Sequence, residues 1–160
     1  NLHRRDLDRD ITKEAIDMIV TSDDMKKRKT TVVYNPEWHK GVVGIVASRL
    51  IENFYRPTIV LTNSDGLISG SARSIKKFDI YDAIDSCSHL LEHFGGHTFA
   101  AGLAFKPENL EAFVSCFENY AQKHLTDDMM VPEIELDAEL FISDINTKFY
   151  NILNQFSPFG

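Results

Sequence analysis

The sequence predicts an α/β fold: a mixed β-sheet flanked by helices, preceded by one helix and followed by a strand-helix extension. Short β-branched and apolar runs alternate along the chain with longer segments in which apolar residues recur every three or four positions. The hydrophobic fraction of 43% and the charged fraction of 26% are ordinary for a globular protein. A chain of 160 residues has room for one domain with an added piece.

The first half of the chain begins with a helical pattern and then alternates between strands and a helix. A helix that is apolar on most sides is buried, and residues 41–54 have this pattern. The basic run at 26–29 is interpreted as a solvated turn, although it could also touch DNA. The predicted elements are a helix over 4–20, strands over 30–34, 57–61 and 67–73, and the buried helix over 41–54.

The second half continues the alternation of helices and strands, which is typical of an α/β domain with a mixed sheet. Pro107 stands where helix beginnings prefer proline, and Ser143 is predicted to be an N-cap. Residues 132–140 alternate apolar and charged side chains, so they form an edge strand or begin another module. The predicted elements are helices over 80–93, 107–124 and 143–156, and a strand over 99–105.

The net charge of the chain limits how strongly it can bind nucleic acid by electrostatic attraction alone. The formal net charge of −7 argues against a broad electrostatic grip on nucleic acid. Residues 36–106 are neutral, with seven Lys or Arg and seven Asp or Glu, so one or two cations there can still meet a phosphate.

No apolar run reaches the roughly 18 residues of a membrane span, and no secretory signal opens the chain. We therefore expect a cytoplasmic protein with no membrane partner.

Cysteine and histidine spacings give no metal site. Cys87 and Cys116 have no CxxC spacing and are expected to be buried free thiols of a cytosolic protein. His89 and His93 are four residues apart in the predicted helix, which resembles a metal-ligand spacing, but the HExxH pattern is missing. We expect no metal ligand in this chain.

The run Gly95-Gly96-His97 is the first candidate functional motif. Consecutive glycines allow positive φ and the close approach of another group to the backbone. A histidine held there can donate a hydrogen bond to a phosphate or titrate near neutral pH. A histidine satisfied within the core is the alternative interpretation.

A second candidate lies at the end of the strand over 67–73. Arg73 is surrounded by Gly70, Ser71 and Ser74, whose small side chains leave room for a ligand. A guanidinium can pair with two oxygens of one phosphate. The alternative is that Arg73 forms a structural salt bridge.

The start of the buried helix is a third candidate. Trp38 and His39 precede Gly41 and Gly44, and glycines at a helix start let an anion approach the free amides or let the helix pack tightly. Trp38 and His39 are therefore candidate cleft-lining residues. In the alternative interpretation Trp38 is a hydrophobic anchor and His39 caps the helix at the surface.

The chain lacks the residues of a self-sufficient hydrolase. It has no nucleophile elbow and no Walker A motif, and its acidic residues are too scattered for a two-metal phosphoesterase. Both ends of the sequence stop abruptly, so we expect a piece of a larger protein that is inactive alone.

Taken together, the motifs resemble the DHH phosphoesterase superfamily and, within it, the DHH-associated domain of the RecJ family of single-strand-DNA-specific exonucleases. The resemblance covers about residues 30–125 in order and spacing. The matching segments are residues 38–50, 56–57, 70–75, 78–79, 94–97 and 100–102, with Ala83, Cys87, Leu90 and Leu91.

The resemblance implies three regions: the end of an interdomain linker helix at 1–29, a DHH-associated substrate-binding domain at 30–126, and a connector at 127–160 toward an oligonucleotide-binding-fold domain. It implies that the parent protein degrades single-stranded DNA from the 5′ end in DNA repair and recombination. Mn²⁺ or Mg²⁺ would be bound by a DHH domain outside this chain. The partners implied are single-stranded DNA and those two domains.

The resemblance also implies roles for individual residues. Arg73, Ser71 and Ser74, with Gly70 beside them, would bind phosphate. His97 would approach the scissile phosphate as a catalytic residue, with backbone access at Gly95 and Gly96.

Two other functions remain open from the sequence. The first is a DHH-family phosphodiesterase that acts on short oligonucleotides or on phosphorylated or cyclic nucleotides. The second is a non-catalytic module that binds a partner protein through its acidic surface.

Overall fold

The structure is a computed structural model that describes residues 2–158, with side chains described from residue 6 onward. Asn1, Phe159 and Gly160, which begin the predicted linker helix and end the predicted connector, lie outside these residues. The strands are β1 (Thr31–Tyr34), β2 (Thr58–Ser64), β3 (Leu67–Arg73), β4 (His93–His97) and β5 (Ala100–Phe105). The helices are α1 (Leu2–Thr21), α2 (Asp23–Lys27), α3 (Val43–Phe54), α4 (Ile80–Asp85), α5 (Leu110–His124) and α6 (Thr147–Asn154).

The strands form one mixed sheet in the order β1-β2-β3-β5-β4, which confirms the predicted fold class. The β1–β2 pair is parallel, and α3 supplies the crossover that a parallel pair needs. The remaining pairs are antiparallel. Asp65 and Gly66 join β2 to β3 with φ of 54° and 80°, as a tight hairpin with two positive φ values requires.

Hydrophobic cores lie on both faces of the sheet because successive strand residues point to opposite faces. On one face, α4 and α5 pack against β2, β3 and β5, with Phe105, Phe113 and Phe117 fully buried. On the other face, α1 and α3 pack against β1 and β2 around Val33 and Val60. We call these the α5 face and the α3 face.

The predicted helix over 80–93 is wrong in its second half. α4 ends at Asp85, a short 3-10 turn follows, and residues 93–97 form the edge strand β4. Glycines are poor strand formers, so the sequence of this strand reads as a loop. Pairing with the free edge of β5 outweighs that local preference. His89 and His93 therefore do not share a helix turn, and the metal-ligand spacing disappears.

The expectation of two free thiols is also wrong, because Cys87 and Cys116 form a disulfide. α4 and α5 pack on the same face and bring the two Cα atoms to 6.1 Å, within the range of a disulfide. The cysteines are 29 residues apart, so only the packing of the two helices reveals the pair.

Two other predicted elements differ locally. Lys26 and Lys27 belong to the short helix α2, which Ser22 caps, and not to a turn. α6 begins after Asn146, whose side chain accepts the Phe149 amide, so Asn146 and not Ser143 is the N-cap.

The region after α5 forms no strand within the described residues. Residues 132–140 are exposed, with Ile134 at 86% and Leu136 at 84% of full exposure. Glu133 and Glu135 instead pair with Lys77 and Lys76. The alternating segment pairs with neither edge strand of the sheet, β1 or β4, and has no regular secondary structure.

Candidate phosphate-binding face

The two strongest candidate residues lie in one row of the sheet. Arg73 of β3 and His97 of β4 both pair with Ala100 of β5, from opposite sides. Directly paired residues of antiparallel strands point to the same face. The structure therefore brings together the two motifs that the sequence singled out separately.

The neighbouring row is made of very small residues. Ser71, Gly102 and Gly95 pair across β3, β5 and β4 and point to the same α3 face. Gly95 and Gly102 are exposed. A Cβ added at Gly95 would meet no atom within 4 Å, and one at Gly102 would meet only the Gly70 carbonyl at 3.9 Å. These two rows form an open floor beside Arg73 and His97, which we call the open face.

Arg73 is held in place by neutral oxygens. One guanidinium nitrogen, Nη1, donates to the Ser71 hydroxyl at 2.7 Å and to the Ala72 carbonyl at 2.8 Å. Among the described residues no carboxylate lies within salt-bridge distance of it, so the structural salt bridge considered from sequence is not seen. Partial burial lowers the pKa of Arg73, but an arginine stays charged in proteins. Its positive charge is without a countercharge from the described part of the chain.

Gly44, the second residue of α3, lies next to the Arg73 guanidinium. A Cβ at Gly44 would lie 2.8 Å from Arg73 Nη2 and 3.1 Å from Ser71 Oγ. The absence of a side chain at Gly44 therefore lets the guanidinium pass over the start of the helix. Gly44 therefore serves packing against the candidate ligand-binding arginine, whereas Gly41 lies against the His39 ring.

The other residues predicted to bind phosphate, Ser71, Ser74 and Gly70, make structural contacts within the chain. Ser71 accepts the hydrogen bond from Arg73, so it orients that side chain. The Ser74 hydroxyl donates to the Phe78 carbonyl at 2.6 Å and fastens the turn after β3. Gly70 points to the α5 face, where a Cβ would lie 2.4 Å from the Val60 carbonyl. Gly70 is needed for sheet packing and does not face the Arg73 row.

His97 is exposed at the end of the edge strand. Its Nδ1 accepts the Phe99 amide at 3.3 Å, so the proton of the neutral ring resides on Nε2. The Phe99 ring stands edge-on to the imidazole, with centroids 6.4 Å apart. His97 is thus no core histidine, and its Nε2–H is available to a ligand.

The turn that carries His97 is fixed by Asp79. One carboxylate oxygen of Asp79 accepts the Tyr81 and Asp82 amides at the start of α4, and the other accepts the Thr98 hydroxyl at 2.9 Å. Burial raises the pKa of Asp79, but these hydrogen bonds and the nearby His97 outweigh it and hold the pKa below its ordinary value. Asp79 therefore ties the start of α4 to the β4–β5 turn.

The sequence interpretation missed Asp79 and Gly44 as supporting residues. Aspartate directly before the apolar helix at Ile80 is an N-cap signal that could have identified Asp79. Nothing in the sequence indicates the contact between Gly44 and Arg73, because the residues lie on different elements.

The two glycines of the Gly95-Gly96 pair differ. Gly95 faces open space, whereas a Cβ at Gly96 would lie 2.3 Å from the Ala100 carbonyl on the α5 face. Gly96 is required by the close packing of the β4–β5 turn. Of the two glycines, only Gly95 leaves space for a ligand on the face of the sheet that carries His97.

Trp38 and His39 do not join this row. Trp38 is 5% exposed, packs in the core of the α3 face, and donates its indole N–H to Glu14 at 2.9 Å. Its burial fits the hydrophobic anchor of the alternative interpretation. His39 is exposed, and its Nδ1 accepts the Gly41 amide at 3.0 Å in the turn before α3.

The described residues contain no group of three or more His, Cys, Asp or Glu side chains arranged to hold a metal ion. Of the helices in residues 2–158, none is long and apolar enough to cross a membrane.

Comparison with known proteins identifies the family. The family model of the DHHA1 domain matches residues 27–123, more than half of the chain. The chain belongs to the DHHA1 domain family. The resemblance to the RecJ family drawn from the sequence motifs is confirmed by the relatives of this DHHA1 domain.

RecJ of Bacillus subtilis (strain 168), a single-stranded-DNA-specific exonuclease, is 37% identical over 162 residues, covering 100% of this chain and 20% of the relative. The crystal structure of RecJ in complex with Mg²⁺ from Thermus thermophilus matches with a TM-score of 0.81 and 30% identity, over 100% of this chain and 24% of that one. The Mn²⁺ complex from the same organism matches with a TM-score of 0.81 and 29% identity, over 100% of this chain and 23% of that one. The DHHA1 chain thus spans about a fifth to a quarter of these proteins.

Proposed function

We propose that this DHHA1 domain is the substrate-binding half of a cytoplasmic 5′→3′ single-strand-DNA exonuclease used in DNA repair and recombination. It holds the phosphate backbone of the DNA against a metal centre in a DHH domain of the same polypeptide. The observation that carries this proposal is the row Arg73–Ala100–His97 on the open face. The likeness to RecJ exonucleases over the whole chain supports it.

The row has dimensions suited to a phosphate. Neighbouring strands are about 4.8 Å apart, so the backbones of Arg73 and His97 are separated by roughly 10 Å. Between them lie the methyl group of Ala100 and, in the next row, the bare backbone of Gly102. A phosphodiester can therefore approach the sheet closely between a guanidinium and an imidazole.

The two side chains would act on different oxygens of the substrate. Arg73, already oriented by Ser71, has guanidinium donors beyond Nη1 for a phosphate oxygen, and a charged donor strengthens such hydrogen bonds. His97 presents Nε2–H, which can donate to an oxygen on which negative charge develops during cleavage. Asp79 keeps the turn that carries this imidazole in place.

Metal chemistry belongs to another part of the parent protein in this proposal. The RecJ structures that this chain matches contain Mg²⁺ or Mn²⁺. Two-metal sites need several carboxylates that converge on ions about 4 Å apart, and the described residues offer no such donor set. We therefore derive no step through a metal on this chain.

Backbone amide NMR of the chain tests the proposal. Titration with a 5′-phosphorylated oligothymidylate should shift the amide signals of Gly95, Gly102 and the Arg73 strand end, while a cyclic dinucleotide should not. Selective binding of the cyclic dinucleotide at these amides would favour the phosphodiesterase alternative. Absence of any shift on the open face at millimolar oligonucleotide would overturn the assignment of this face to DNA.

A further inference from the structure

A second cationic feature lies away from the open face. A cleft of about 430 Å³ opens where the basic run before β1 meets the end of α3 and the end of α5. Five cationic residues line it, Lys26, Lys27, Arg28, Lys29 and Arg56, with one carboxylate, Asp127. We call it the basic cleft. The basic run in the sequence, interpreted there as a solvated turn, therefore borders a concave site.

Arg56 is the buried member of the basic cleft. It is 8% exposed, and its Nε donates to the Thr31 hydroxyl at 2.7 Å while Nη1 donates to the Arg28 carbonyl at 2.8 Å. Its Nη2 is buried and has no hydrogen-bond partner among the described residues. A buried donor left unpaired, on a charged group above all, is costly, and native structures rarely leave one without a partner. Two arms of the guanidinium are fixed, and the third lacks an acceptor.

The nearest countercharge does not supply that acceptor. Burial lowers the pKa of Arg56, and the charge of Glu118 partly offsets it. The oxygens of Glu118 accept the Lys29 amide at 2.9 Å, the Thr30 amide at 3.1 Å, the Thr30 hydroxyl, and the Gln122 amide group. None of the described hydrogen bonds joins Glu118 to Arg56. Glu118 thus organises the segment before β1 and acts on Arg56 only at a distance, so within the described residues no carboxylate accepts a hydrogen bond from the guanidinium.

The lysines differ in how firmly they are engaged. Lys26 pairs with Asp23 at 3.2 Å on the surface, and Arg28 with Asp24 at 2.5 Å. The Lys26–Asp23 pair is exposed, and an exposed pair contributes little and is easily exchanged for another anion, whereas Arg28 is half-buried. Lys27 is exposed and has no ion pair within the described residues. The rim of the basic cleft can therefore turn ammonium groups toward a ligand.

We propose that the basic cleft binds a phosphate group, either free or carried by a nucleotide or a nucleic-acid strand. The remaining Nη2 of Arg56 can donate a charge-assisted hydrogen bond to one phosphate oxygen, and lysine ammonium groups add positive charge at the rim. The cleft lies beside the β1 edge of the sheet, two strand spacings or about 10 Å from the strand of Arg73 and four spacings or about 19 Å from the strand of His97. Its lining residues include none of the open face, and the inference does not depend on the proposed function.

Titration of the chain with sodium phosphate at constant ionic strength, followed by amide NMR, tests this inference. Four proteins are compared: the unaltered chain, Lys26→Glu with Lys27→Glu, Arg73→Ala, and Lys148→Glu. Lys148 is exposed on α6 and provides a charge-reversal control outside the cleft, with half the charge change of the double variant. We expect phosphate to shift the amides of residues 26–31 and 54–56. The double reversal should weaken that binding by about tenfold or more, while Arg73→Ala and Lys148→Glu leave it unchanged.

The source of the phosphate is identified by a second arm with a 5′-phosphorylated and a 5′-hydroxyl oligothymidylate. Shifts at residues 26–31 with either strand assign the cleft to the nucleic-acid backbone, and shifts with inorganic phosphate alone assign it to a free phosphate compound. Lack of shifts with every probe, or shifts that survive the double reversal, would overturn the inference. Loss of binding in Arg73→Ala alone would show that phosphate binds only the open face.

Discussion

Arg73 and His97 flank the same residue, Ala100, and point to the same face of the sheet. They are 24 positions apart in sequence, but their strands are both neighbours of β5. The guanidinium is oriented by Ser71 of the same strand and has clearance at Gly44 of α3, and the imidazole is oriented by the Phe99 amide in the turn after β4. The relationship gives four predictions about this face and its support, and a fifth about the chain as a whole.

Arg73→Ala is expected to weaken binding of the complete protein to 5′-phosphorylated single-stranded DNA. Loss of a hydrogen bond from a charged donor costs about 1.5–3 kcal/mol. Arg73→Lys should restore only part of it, because an ammonium lacks the planar fork. Fluorescence anisotropy at fixed salt measures the change, with Lys148→Ala as the control. Equal affinities for all four proteins would leave Arg73 with a structural role only.

His97→Ala is expected to lower turnover more than DNA affinity in the complete protein. A donor that meets developing charge is worth about 2.7–4 kcal/mol in the transition state, and such a loss lowers kcat and kcat/KM together. His97→Gln, which keeps a side-chain N–H, should retain more activity. Because His97 is exposed, the melting temperature should change little. A large drop in melting temperature with a normal single-turnover rate would contradict the catalytic assignment.

Gly95→Val and Gly96→Ala form a matched pair. The Cβ position of Gly95 faces open space, so valine there should leave the fold intact, or stabilise it by about 0.5–1 kcal/mol by removing a strand glycine. The same change should weaken DNA binding by filling the open face. Gly96→Ala should instead destabilise the fold by about 1–3 kcal/mol, because its Cβ would overlap the Ala100 carbonyl.

Urea unfolding and DNA binding are measured on both glycine variants. If Gly95→Val unfolds the chain, or if the folded variant binds DNA with normal affinity, the open face is not a ligand-binding surface.

Asp79→Ala is expected to lower stability at neutral pH, by about 0.5–2 kcal/mol for a lost N-cap. The pKa of Asp79 is lowered in the folded chain, so its charged form is preferred there. The stabilisation is therefore complete above the unfolded-state pKa and disappears as the pH falls through the lower folded-state pKa. Urea midpoints of the variant and the unaltered chain should therefore converge as the pH falls through the lowered folded-state pKa of Asp79. Asp85→Ala, an exposed change on the same helix, is the control, and a constant gap across pH would contradict this account.

The chain alone is expected to release no nucleotides from single-stranded DNA with Mn²⁺ or Mg²⁺, because it lacks a converging carboxylate set. Incubation of purified chain with 5′-labelled oligonucleotide, analysed on a denaturing gel, measures this. Metal-dependent cleavage that co-elutes with the chain through two chromatographic steps would contradict the assignment of the metals to another domain.

Local sequence signals are sufficient to predict the elements in which propensity and packing agree. β-branched runs gave β1 and β2, the apolar helix gave α3, and the small-residue runs around Arg73 and His97 identified the two motifs of the site. The DHHA1 family is likewise readable from the order of these motifs. Such features are encoded within a few residues of one another, where propensity and periodicity act.

Features that depend on partners far away in the sequence become visible in the folded chain alone. β4 is a strand because β5 offers a free edge, in spite of its two glycines. Cys87 and Cys116 meet because α4 and α5 share one face. Trp38 is buried because it packs with residues of α1 and α3. Gly95 is exposed because no atom of another element lies within 4 Å of its Cβ position. Burial and strand pairing each depend on two segments of the chain. A local sequence pattern describes only one of these two segments, so it cannot determine where they meet.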